Sequence, residues 1–221
     1  MSDLEREQMD CSDCQAYHCD KRNSAYPSFC PTTAAEETQL ENIKSSYKDD
    51  PIVSKIYSAS AEIEGLYYGK LTRVEEIILF AKKIGVKKLG IASCMGSINE
   101  TTVFTKILRA KGVTDYLCVC CKAGSISKEE VGIPEDHKIR PGKFEAACNP
   151  FLQAEVLNEA KTDLNIMIGL CVGHDALFSM HSKAPCVTLS VKDRVLQHNP
   201  IAAIYGANSY YRRLLKKDDI V

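Results

Sequence analysis

Three apolar segments of this chain each run into a cysteine: Ile91-Ala92-Ser93-Cys94, Leu117-Cys118-Val119-Cys120-Cys121 and Ile166-Met167-Ile168-Gly169-Leu170-Cys171. Apolar runs of this length, separated by helical patterns, read as parallel strands covered on both faces. In open α/β sheets ligands bind in the crevice outside the carboxyl ends of the strands. The three thiols therefore share one rim, where chemistry is expected. A metal or metal cluster is the first chemistry this placement implies.

The elements around these runs follow from local signals. Lys44 to Asp50 reads as a solvated linker, and Asp49 or Asp50 before Pro51 starts a helix through Ile52, Ile56, Ile63 and Leu66 that closes at Gly69. The box Thr72-x-x-Glu75 opens a second helix, with Val74, Ile77, Ile78, Phe80 and Ala81 inward and Gly85 at its end. Strand and helix then alternate. Val86 to Ser93 is a strand, Ser97-x-x-Glu100 a capping box for a helix ending at Gly112, and Asp115 to Cys121 a second strand. Lys122 to Ala147 is a long connection with a short helical candidate at Ser127 to Val131; loops of this length usually carry function and this one is expected to cover the site. Pro150 opens a helix, Leu164 to Leu170 is the third strand, Asp175 to Ser182 a short helix and Cys186 to Val191 the fourth strand. Asn199-Pro200 begins a last helix through Ile204, Tyr205 and Leu214.

The expected fold is α/β, a small Rossmann-like or flavodoxin-like parallel sheet over residues 49–221, preceded by an N-terminal cysteine-rich metal-binding module and linker over residues 1–48. No G-x-G-x-x-G follows the first strand and no G-x-x-x-x-G-K-[ST] occurs, so the usual phosphate cradles for dinucleotides and nucleoside triphosphates are missing.

Composition narrows the function. A formal net charge of -1, from 28 Lys+Arg against 29 Asp+Glu, gives no long-range field toward nucleic acid or an anionic membrane. The charged start MSDLEREQMD has no apolar stretch, and no later run reaches the ~18 residues of a membrane span, so a cytoplasmic location is expected. In that compartment thiols stay reduced, and the 11 cysteines are then assigned to metal ligation or thiol chemistry, not to disulfides.

Four of them, Cys11, Cys14, Cys19 and Cys30, fall in the polar segment CSDCQAYHCDKRNSAYPSFCP, where a coreless loop needs a metal to organise it. The spacing matches no standard zinc-ribbon or ferredoxin pattern, so zinc and an iron-sulfur cluster both stay open, and His18 is a substitute ligand. A second set is Cys94, Cys121 and Cys171 at the strand ends with Cys148 at a helix start, where free N–H groups and the helix dipole favour a thiolate. One such cysteine alone is more often a small buried hydrophobe, but four placed together can enclose a cubane. Cys118, Cys120 and Cys186 read as structural, the first two pointing to one face of their strand. His174 and Asp175 follow Cys171 closely enough to donate a proton or complete a coordination sphere, and are the catalytic candidates; Asp175 as a helix cap is the plainer alternative. Arg140, Lys192 and Arg194 are candidates for holding an anionic substrate, with plain solvated charge as the commoner alternative.

Together with the N-terminal cysteine module, the strings GIASC, VCCKAGS, IRPGKFEAACNP, GLCVGHDALF, SKAP, VKDRVLQHNP and SYYRRL make the chain resemble, over nearly its whole length, a prokaryotic family of uncharacterised predicted metal-binding proteins common in anaerobes. The resemblance implies metal-binding roles for Cys11, Cys14, Cys19 and Cys30 and for Cys94, Cys121, Cys148 and Cys171, with the GHD string at Gly173, His174 and Asp175. It supplies no reaction. A looser architectural similarity, to 2-hydroxyacyl-CoA dehydratase and double-cubane reductase proteins, carries no function with it.

These readings lead to a cytoplasmic iron-sulfur protein with a [4Fe-4S]-type cluster at the rim and a second [4Fe-4S] or zinc centre in the N-terminal module, working in electron transfer or cluster-based catalysis. A redox protein partner, a small-molecule substrate and a homo-oligomer are compatible with it. Two alternatives stand beside it: a thiol enzyme with structural zinc, in which Cys148 is nucleophile or sulfur carrier and His174 its acid-base partner, and a metal delivery or scaffold protein.

Overall fold

Four short segments, two of them buried at every residue, form the sheet. In the computed structural model, which describes residues 9–216, they are β1 (Leu89–Ser93), β2 (Tyr116–Cys120), β3 (Leu164–Leu170) and β4 (Cys186–Val191). All pairings are parallel and the order is β2-β1-β3-β4. That is the flavodoxin-like order without its fifth strand, and the chain reverses direction across the sheet between β1 and β3. The α/β class and the parallel sheet are thus as expected. Residues 1–8 of the charged start lie outside the described residues.

Alternation along the strands sends side chains to two separate cores. Leu89, Ile91, Ile166 and Ile168 pack with Ile77, Ile78 and Ala81 of one helix and Phe104 and Leu108 of another. On the other face Ala92, Val119, Met167 and Leu170 pack with Ala154, Leu157 and Phe178.

The chain divides into two compact units at Ala61/Glu62. In the first, α1 (Glu37–Asp49) leads into α2 (Pro51–Tyr67), which carries the division. The stretch expected as a linker, Lys44 to Asp50, is helical through Asp49, because nothing between Glu37 and Lys48 breaks a helix; Asp50 Oδ1 then accepts the Ile52 and Val53 N–H groups at 2.9 and 3.0 Å and restarts the chain as α2. Of the described residues of this unit, only Cys30 and Ala59 are buried.

The second unit contains the sheet with α3 (Arg73–Lys83), α4 (Ile98–Ala110), α5 (Pro150–Glu159), α6 (His174–His181) and α7 (Ile201–Tyr205). The Thr72/Glu75 capping box is present in both directions. The one expected at Ser97 is not: Ser97 makes no side-chain cap, and its hydroxyl instead accepts Lys192 Nζ at 3.1 Å. The last helix stops at Tyr205, and Leu214 lies in a separate 3-10 turn, Arg212–Leu215. Among the described residues no helix is long and apolar enough to cross a membrane.

Close packing of β1 against β3 requires glycine at position 90. A Cβ there would stand 1.9 Å from Asn165 Oδ1, and Asn165 cannot yield because it is fully buried and bonded to Thr162 and Ser182 at 2.8 Å each. Overpacking of this kind costs about 1–3 kcal/mol. Gly90→Ala is expected to lower the urea midpoint by that amount of stability with the m-value unchanged, and an unchanged midpoint would refute this packing.

Candidate functional site

The ladder of the sheet extends one residue past β1 and β2 and thereby fixes two cysteines. Cys94 N–H donates to Ile168 O at 2.9 Å and Cys121 N–H to Ser93 O at 2.8 Å. A third, Cys148, is held because Asn149 N–H donates to Cys121 O at 2.7 Å, while the Asn149 side chain caps α5 by accepting Leu152 N–H at 3.0 Å. The fourth, Cys171, directly follows β3, whose end bends at Gly169; this residue has φ +64, and a Cβ on it would meet Ser97 Oγ at 2.2 Å. Cys171 O then accepts His174 N–H at 3.0 Å and Asp175 N–H at 3.2 Å as α6 begins.

Gln153 ties these pieces together. It is fully buried on α5, and its amide donates to Ser93 O at 3.1 Å and Val119 O at 2.8 Å, one residue ahead of Cys94 and two ahead of Cys121; among the described residues its own Oε1 is buried without a partner. In the sequence it is one glutamine in a helical stretch, with nothing local to single it out.

The thiols of Cys94 and Cys148 both adjoin that of Cys121. Three neighbouring sulfurs cannot all be anionic without a cation among them, so Cys121, between the other two, is held protonated, its pKa well above the ordinary thiol range. Hydrogen bonding to Cys121 lowers Cys94 to about 5, helped by the Gly96 N–H and the Lys192 ammonium. Hydrogen bonding of Cys148 to Cys121 likewise lowers Cys148 to about 5, with Lys122 and His174 adding to it. Each of the four sulfurs has its own donor or cation, since Met95 N–H reaches Cys121 Sγ at 3.2 Å and Arg194 Nη2 reaches Cys171 Sγ at 3.2 Å.

All four cysteines line one cavity of about 590 Å³, together with His174, Lys122, Lys192 and Arg194. Asp175 and Arg140 are not among its lining residues; Asp175 Oδ1 accepts the Ala176 N–H at 2.8 Å in the first turn of α6, and the Arg140 N–H is bound by Glu145 at 3.1 Å. The long connection after β2 builds one wall, as expected from its length. It is closed by the antiparallel bridge Ser127–Ala146 and by the Lys128–Glu145 ion pair at 2.6 Å. Inside it, the almost fully buried Lys138 is paired with Glu129 and, at 2.6 Å, with Glu135.

The remaining cysteines of the sheet are set apart. Burial pushes Cys118 up to about 11 and raises Cys186, so neither is a ready thiolate. Cys118 and Cys120 were expected on one face, yet Cys118 packs in the first core and Cys120 in the second. In the N-terminal unit, Cys14 N–H donates to Cys11 O at 3.3 Å in a turn, Cys19 lies in the helical turn His18–Lys21, and Cys30 precedes the turn Pro31–Ala34. Cys30 is buried, Cys14 half-buried, and Cys11 and Cys19 exposed. His18 Nδ1 bonds Ala25 O at 2.8 Å, which leaves Nε2 as the nitrogen for a ligand. Among the described residues no group of three or more His, Cys, Asp or Glu side chains stands ready to hold a metal ion, and this applies to both cysteine sets.

Replacing Gln153 by leucine removes two buried hydrogen bonds to strand-end carbonyls, at about 0.5–1.5 kcal/mol each, while Ser93 O keeps the Cys121 N–H. The Gln153→Leu variant is expected to unfold at lower urea and to expose Cys94 and Cys121 to alkylation; wild-type stability and labelling would show that the clamp is dispensable.

Comparison with known proteins finds a relative that shares nearly the whole length of the chain. It is 44% identical over 208 residues to the Uncharacterized protein MJ0455 of Methanocaldococcus jannaschii, an alignment covering 94% of this chain and 99% of that protein. No solved structure matches it significantly. Residues 30–189, from the last cysteine of the N-terminal quartet into β4, match the family model described as Protein of unknown function (DUF1847), and the chain belongs to that family.

Proposed function

We propose that this protein binds an iron-sulfur cluster, of the [4Fe-4S] type, through Cys94, Cys121, Cys148 and Cys171. The observation that carries the reading is that four thiols from four separate chain segments line one cavity at the carboxyl end of the sheet, each with its own N–H or cationic neighbour. Cluster thiolates require such neighbours, because hydrogen bonds and nearby charge set both their stability and the reduction potential. The ligands of a cubane bind separate irons and need not converge on one point as the ligands of a single ion do, so adjacent but unconverged sulfurs suit it.

When bound, such a group supplies one-electron chemistry. The chain's own residues do the rest. Arg194, Lys192 and Lys122 balance the negative charge of the thiolates, the backbone N–H groups of Met95 and Gly96 orient two of the sulfurs, and the 126–147 loop walls the site. His174, beside Cys148, is the imidazole placed to exchange a proton at the rim. The N-terminal quartet Cys11, Cys14, Cys19 and Cys30 is a second centre, zinc or [4Fe-4S]; a unit whose described part buries only Cys30 and Ala59 has little besides a metal to order it. The reading makes the protein a cytoplasmic redox or cluster-dependent component, with a redox protein as electron partner.

A second reading is favoured by Cys148 alone. Its thiol is lowered to about 5 beside Lys122 and His174, as a nucleophilic or sulfur-carrying cysteine would be. Alkylation separates the two readings: a ligating Cys148 is protected, a free one labels fast.

Protein purified without oxygen is expected to carry about four irons per chain with matching sulfide, or about eight if the N-terminal centre is also a cluster, and to absorb broadly in the visible. Cys171→Ser should remove about four irons. Arg194→Gln should keep the iron and move the reduction potential to a more negative value, since a cation beside a cluster sulfur favours the reduced state. A colourless protein containing zinc alone, or iron unchanged in Cys171→Ser, would contradict the rim assignment.

A further inference from the structure

The four cysteines form only one side of the cavity, and the rest of its wall has no part in holding a metal. Its volume of about 590 Å³ is in the range of small-molecule sites, roughly 300–1,000 Å³. The loop after β2 contributes three aliphatic side chains to the lining, Val131, Ile133 and Ile139, which are exposed at 52%, 37% and 78%. Aliphatic groups left uncovered along the wall of a cavity, on a loop otherwise stapled by ion pairs, are what an apolar ligand surface would cover.

Charge sets the other half of the ligand. Lys128 is neutralised by Glu145, and among the described residues this leaves Lys122, Lys192 and Arg194 as three cations of the lining without an acidic partner. A four-iron core with four thiolates carries two negative charges, so the filled site retains one positive charge. A cleft with such an excess and a low-dielectric wall concentrates anions.

We infer that the cavity over the rim cysteines binds a small organic monoanion with an aliphatic body, its charged end at Lys192 and Arg194 and its chain against Ile133 and Ile139. The charge count rests on the four-iron reading above; the shape and the aliphatic wall do not. In this arrangement the ligand's anionic end lies beside Cys94 and Cys171, where an electron or proton delivered at the rim would reach it.

The test is calorimetric titration of the full-length protein, purified without oxygen, with acetate, butyrate, hexanoate and hexanamide, and metal analysis of the same sample. Saturable binding is expected to tighten at least about ten-fold from acetate to hexanoate, within what four buried methylenes supply, and hexanamide to bind at least about ten-fold more weakly than hexanoate. Ile133→Asn and Ile139→Asn, both on the exposed loop, should each reduce the gain with chain length while iron content and visible absorption stay constant. An iron-loaded sample in which no carboxylate binds saturably, or in which hexanamide matches hexanoate, overturns the inference and leaves the metal reading intact. A sample without iron that still shows the preference for charge and chain length upholds the cavity site and overturns the metal reading.

Discussion

Two backbone hydrogen bonds govern the site: Cys94 N–H to Ile168 O and Cys121 N–H to Ser93 O. They carry the parallel ladder one residue past the ends of β1 and β2, so both cysteines are placed by the sheet and not by flexible loop. Everything else at the rim is built onto that edge. Asn149 bonds back to Cys121 and so positions Cys148, and Gln153 reaches from α5 to the carbonyls that precede the two cysteines. The left-handed turn at Gly169 lets β3 run past Ser97 to deliver Cys171. The sheet order supplies the reason for the location: the chain reverses between β1 and β3, and the crevice this opens at the carboxyl ends is where the fold accepts ligands.

Electrostatics then limits what can occupy the crevice. Buried and half-buried sulfurs in contact with one another resist simultaneous ionisation, which is why Cys121 keeps its proton while Cys94 and Cys148 lose theirs readily. A cationic core bound there would relieve that conflict by giving each sulfur a positive partner. Lys122, Lys192 and Arg194 act in the same direction from outside, and each comes from a segment just after a strand, so the topology that gathers the thiols gathers their counter-charges too.

Much of this was legible in the chain. Uniformly apolar runs ending on cysteine identify parallel strands and their carboxyl ends at once, and the 26-residue gap before Cys148 marks a loop that walls the site. Other features needed three dimensions. Gln153 carries no local signal, since its partners are carbonyls 34 and 60 residues away in sequence. Ser97 looks like a cap because Glu100 follows three residues later, but Lys192, 95 residues on, takes its hydroxyl. Cys118 and Cys120 looked equivalent by period, yet the strand ends at Cys120 and the second residue turns to the other core. The Glu37–Asp49 helix was hidden by its largely polar composition, in which Leu40, Ile43 and Tyr47 make only a thin apolar stripe.

The most direct test of the central claim is an anomalous-difference map recorded at the iron edge from crystals of protein purified without oxygen. The account places a compact iron peak among the sulfurs of Cys94, Cys121, Cys148 and Cys171. Iron density confined to the N-terminal quartet, or continuous S–S density between rim cysteines with no iron beside them, would contradict it.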